Sequence, residues 1–77
     1  MKAILTKYVC PTNVRGSRYV AYDLDNNRVM LDANHALSSE ENHASAAHAL
    51  CAKMGWKGKL AAGATKEGYA FVFVDRP

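Results

Sequence analysis

The chain has 77 residues, with 10 Lys and Arg against 7 Asp and Glu for a formal net charge of +3. A chain of this length makes one small domain over residues 1–77, because it buries only about 60% of its unfolded surface and leaves no room for a second core or a deep cleft. No apolar run approaches the ~18 residues of a membrane span, and the start from Met1 to Lys7 turns polar too soon for a signal peptide, so a cytoplasmic protein without membrane association is expected.

Ala3 to Val9 reads as a first strand, followed by a loop, Cys10 to Gly16, that contains Pro, Asn and Gly. Ser17 to Asp23 reads as a second strand. Asp25-Asn26-Asn27 supplies residue types that tolerate positive φ in a hairpin turn, and Arg28 to Asp32 is the third strand. Ser38-x-x-Glu41 is a capping box, with Glu40 and Glu41 in the first turn, where the helix dipole favours negative charge. Apolar residues then recur at Ala46, Ala47, Leu50, Cys51 and Met54 at helical spacing. Gly55 stands where a left-handed C′ residue belongs, with Trp56 after it to fold back over Cys51, so the spacing predicts a helix over 39–54. Lys59 to Ala64 and Tyr69 to Val74 complete the strands, around a turn in which Gly68 is expected to adopt left-handed geometry. The order β-β-β-α-β-β predicts a two-layer α+β fold, an antiparallel sheet of about five strands with one helix across one face.

Glu67 to Val74 resembles the aromatic signature octapeptide of RNA-recognition-motif domains. Gly68, Tyr69, Ala70, Phe71 and Val72 fit that pattern, whereas Glu67 replaces the basic residue and Val74 the last aromatic. The resemblance implies rings exposed for base stacking. The alternative is that Tyr69, Phe71 and Phe73 form one strand face that fills the core, leaving Ala70, Val72 and Val74 outward or at an edge. The alanine-rich helix favours the core, since a thin helix lies close to the sheet and needs large partners to reach normal packing density.

Charge is segregated along the chain. Residues 1–22 carry Lys2, Lys7, Arg15 and Arg18 and no acid, whereas residues 23–48 carry five acids against Arg28 alone. Such a distribution suits an anionic partner. Within the basic segment, Arg15-Gly16-Ser17-Arg18 offers two guanidinium forks, a small hydroxyl and a glycine that lets backbone amides approach an anion. Lys7 and Tyr8, at the preceding strand end, extend the patch. The candidate partner-binding set is therefore Lys7, Tyr8, Arg15, Gly16 and Arg18.

Other groups do not assemble into a recognised reactive set. His43 and His48 lie five apart on the predicted helix, about 140° round its axis, which separates them as ligands, and no Cys-x-x-Cys or His-x-x-x-His spacing occurs. Cys51, on the apolar helix face, reads as a packing thiol, and His43 as a hydrogen-bonded structural histidine. No enzyme, metal or cofactor is expected. Met1 to Tyr8, the Arg15-Gly16-Ser17-Arg18 loop and Met54-Gly55-Trp56 resemble short uncharacterised proteins encoded on bacterial prophages, plasmids and integrative elements. That resemblance implies a mobile-element origin and a role in binding a host machine, as anti-CRISPR inhibitors do. The expected function is a binding module for a host protein or protein–nucleic acid complex, as a monomer or a homodimer. Direct binding of single-stranded nucleic acid on the sheet is the alternative.

Overall fold

The computed structural model describes residues 3–14 and 16–74. Its elements are β1 (Ala3–Val9), β2 (Arg18–Tyr22), β3 (Arg28–Asp32), α1 (Ser39–Met54), β4 (Leu60–Ala64) and β5 (Gly68–Phe73). The strands form one antiparallel sheet in the order β3-β2-β1-β5-β4, so the first strand lies at its centre and β3 and β4 form its edges. This is the expected α+β architecture. β2 is one residue shorter at each end than expected, β4 begins one residue later and β5 lies one residue earlier.

Strand pairing fixes which side chains share a face. Ile4 lies opposite Phe71 and Thr6 opposite both Ala21 and Tyr69, while Tyr19 lies opposite Leu31. These residues point to the helix side, where Ile4, Tyr19, Ala21, Ala46, Ala47, Leu50, Cys51 and Phe71 form the buried core. Tyr69 and Phe73 pack against its margin. Of the β5 rings, Phe71 is thus buried in the core, and Tyr69 and Phe73 line its margin on the helix side. Ala46 and Ala47 are fully buried, and the sheet supplies the bulk that the helix lacks.

The helix ends follow the local chemistry. Ser38 Oγ accepts the Glu41 N–H at 3.1 Å, and Glu41 Oε1 accepts the Ser38 N–H at 2.9 Å, completing the capping box. At the other end Gly55 has φ 75°, its N–H reaches the Ala52 carbonyl, and the Trp56 N–H donates to the Cys51 carbonyl at 3.0 Å. That pair of reversed bonds is a Schellman closure. It brings Trp56 back to the core margin, with its ring 6.4 Å from that of Phe73. Asn26 takes φ 69°, as the β2–β3 turn requires.

Gly68 departs from expectation. It has no positive φ and lies within β5, where an added Cβ would overlap the Thr6 carbonyl and sit 2.9 Å from His43 Cε1. Close approach of backbone, not turn geometry, is what demands glycine there.

Candidate functional site

Two buried polar side chains in the first turns of α1, His43 and Asn42, tie the helix to its surroundings. His43 is 3% exposed, and its Nδ1 lies 2.7 Å from Thr6 Oγ1, which in turn donates to the Tyr69 carbonyl at 3.3 Å. Thr6 thus links the buried ring to the backbone of β5. Burial lowers the His43 pKa, keeping the ring neutral. Tyr19 and Tyr69 flank it, with ring centroids at 4.8 and 4.9 Å. This is a histidine held by structure. His35 and His48 are exposed, and no group of three or more His, Cys, Asp or Glu is placed to hold a metal among the described residues. Cys51 is buried with its thiol pKa raised by desolvation, while Cys10 is exposed; both are free thiols.

Asn42 is the second feature, and sequence reasoning missed it. Its Oδ1 accepts the Asn34 N–H at 2.9 Å, and its Nδ2 donates to the carbonyls of Asn34 at 3.0 Å and Ser38 at 3.1 Å. One buried amide thereby ties the β3–α1 connection to the first turn of the helix. An Asn four residues after an N-cap serine was the available signal.

The expected basic patch is divided by the pleat. Lys7 and Tyr8 are consecutive in β1 and therefore point to opposite faces. Tyr8 is on the helix side at the rim, 43% exposed, with its hydroxyl 2.8 Å from Ser17 Oγ and its ring 5.3 Å from Tyr19. Lys7 is on the other face. Arg18, at the start of β2, shares that face: its Nε donates to the Gly16 carbonyl at 3.2 Å and its Nη1 to Met30 Sδ at 3.6 Å. Gly16 is exposed, has no positive φ and would accept a Cβ without contact. Arg15 lies outside the described residues. Of the expected set, Lys7 and Arg18 come together, and Tyr8 does not join them.

What the pairing assembles instead is the sheet face away from the helix. On it stand Leu5, Lys7 and Val9 of β1, Arg18, Val20 and Tyr22 of β2, Arg28, Met30 and Asp32 of β3, and Ala70 and Val72 of β5. No described element covers this face. Val20 is nonetheless 1% exposed, because Lys7 and Met30 lie directly across from it on the neighbouring strands. Lys7 Nζ lies 5.9 Å from the Tyr22 ring centroid, a cation–π contact. Lys7, Val20, Tyr22, Asp23, Asn26 and Arg28 line an open hollow of about 380 Å³. Asp32 is the one acidic strand residue of this face among those described, against Lys7, Arg18 and Arg28. The face is an apolar floor with cations spread across it, suited to an anionic surface. Arg28 and Tyr22 escaped the sequence reading because β2–β3 pairing, not chain proximity, places them beside Lys7. No family model matches the chain, and neither does any curated protein or solved structure.

Proposed function

We propose that the protein is a non-enzymatic binding module whose uncovered sheet face docks an acidic protein surface, such as one on a host complex that handles nucleic acid. The observation that carries this reading is the grouping of Lys7, Arg18 and Arg28 around Val20, Tyr22 and Met30 on a face that no described element covers. Broad, shallow and basic, such a face meets a surface better than it encloses a small molecule. The two buried groups that could do chemistry are engaged: His43 is tied to Thr6, and the Cys51 thiol lies in the core with a raised pKa. The mobile-element resemblance supplies the setting, in which small inhibitors act by occupying a host machine.

A second reading, single-stranded nucleic acid on the same face, draws on Tyr22 as a stacking ring. Lys7 already lies over that ring, and no second ring stands on the described strands of this face. The acidic protein surface is therefore the stronger reading.

The test is affinity capture from a host extract, identification of the captured protein, and binding measurements with the purified pair. Lys7→Glu with Arg18→Glu should weaken binding at least tenfold while leaving the fold intact, because both half-buried side chains carry their charges at the surface, where they contribute little to stability. Binding by the unmodified protein should weaken as salt rises. Salt-insensitive binding that survives the double reversal would remove this face from the site. Tight salt-dependent binding to single-stranded RNA or DNA, lost in Tyr22→Ala, would favour the second reading.

A further inference from the structure

We propose that the outer edge of β3 pairs antiparallel with β3 of a second copy of this chain, in the register that places Met30 opposite Met30. β3 is one of the two sheet edges, and its outward backbone groups are identifiable. The Asp23 N–H donates to the Asn27 carbonyl at 3.0 Å, and the Ala33 N–H to the Ser17 carbonyl at 2.9 Å. The odd-numbered positions of this segment therefore bond inward to β2, and Arg28, Met30 and Asp32 present their N–H and C=O groups outward. Lys53 Nζ donates to the Arg28 carbonyl at 2.9 Å, as expected of an edge acceptor that no strand has taken.

The side chains supply the register. Arg28, Met30 and Asp32 are exposed and share one face, with opposite charges two residues either side of the methionine. In an antiparallel pair centred on Met30, each Arg28 lies directly opposite the partner's Asp32, and this happens twice by symmetry. Shifting the pairing by two residues sets each charge against a neutral residue, and shifting by four sets Arg28 against Arg28 or Asp32 against Asp32. One register is thus selected and its neighbours are disfavoured. Within the chain, neither the Arg28 nor the Asp32 side chain has an ion-pair partner among the described residues. The Arg18 guanidinium, the nearest cation by strand register, is turned to the Gly16 carbonyl and Met30 Sδ.

The pairing would form about six backbone hydrogen bonds, two for each outward residue pair. Lys53, exposed and flexible, would give up the Arg28 carbonyl to the amide of the partner's Asp32. The result is a continuous ten-stranded sheet with both helices on one side and both basic faces on the other. The contact is narrow, so association is weak and concentration-dependent. At β4, the other edge, Leu60 to Ala64 carries no charge and selects no register.

The inference does not rest on the proposed function, and it is tested without a partner. Solution mass is measured by light scattering and sedimentation from micromolar to millimolar concentration. The unmodified chain should rise from 8.4 kDa toward twice that value. Arg28→Asp and Asp32→Arg should each remain monomeric, because each sets like charges opposite one another. Mixed in equal amounts they should associate, one chain carrying two acids and the other two arginines at the edge. The double swap, Arg28→Asp with Asp32→Arg, should restore self-association. A chain that stays at 8.4 kDa throughout overturns the proposal, as do single variants that dimerise like the unmodified protein or a mixture that does not associate.

Discussion

His43 shows how one buried polar side chain is accommodated in a small core. Its ring is packed between Tyr19 and Tyr69, and its Nδ1 is satisfied by the Thr6 hydroxyl, which also reaches the Tyr69 carbonyl. Thr6→Val keeps the shape of the side chain but leaves His43 Nδ1 without its buried partner, and should cost about 1–3 kcal/mol in urea unfolding. The same arrangement makes stability pH-dependent. The folded-state pKa of His43 is lowered below its ordinary 6.5, so the unfolded chain takes up a proton that the folded chain refuses. The full contribution is present above pH 6.5 and is lost as pH falls from there through the lowered folded value. The slope for one proton is at most about 1.4 kcal/mol per pH unit. Comparing denaturation midpoints of the unmodified chain and His43→Gln across pH 7.5 to 5 isolates this part. Parallel curves for the two proteins would show that His43 does not carry it.

At the scale of elements, the helix is specified by its ends more than by its middle. Its sequence is weakly amphipathic and rich in alanine, yet Ser38, Glu41 and Gly55 place both termini. Ser38→Ala should lower stability by about 1 kcal/mol through loss of the N-cap acceptor. Gly55→Val should cost more, because a β-branched residue fits φ 75° poorly; thermal melting of the two variants checks the order. These local signals explain why α1, β1 and β3 were legible in the sequence to the residue. Caps and alternation are written in neighbouring positions. The site was legible only in part, because it is a property of pairing between strands. Lys7 and Arg18 were singled out from a basic run, but the pleat sends Tyr8 to the other face. Arg28 lies in an otherwise acidic stretch and joins them only through the β2–β3 hairpin. Asn42 and Thr6 were missed for the same reason: their partners are distant, or are backbone groups that no motif advertises.

Across the whole molecule the two layers are unequal. α1 lies over β2 and β1 and reaches β3 and β5, whereas β4 meets the core only through Leu60 at its first position. One half of the sheet is therefore clamped between paired neighbours and a helix, while β4 is an edge that pairs with β5 alone and is exposed from Ala61 to Ala64. Opening free energies should follow this asymmetry, since buried contacts and paired neighbours determine which segments open only with global unfolding. In hydrogen exchange at low protein concentration, amides of β1 and β2 that bond to a neighbouring strand should be the slowest. Ala61 and Gly63 of β4, although bonded to β5, should exchange faster through local opening. The outward amides of Leu60, Ala62 and Ala64 should show little protection. Raising the concentration then separates the two edges. If copies pair through β3, the amides of Arg28, Met30 and Asp32 gain protection with concentration while those of Leu60, Ala62 and Ala64 do not. Protection that grows at β4 instead would assign self-association to the uncovered edge, and the Arg28 and Asp32 charges would then have no part in it.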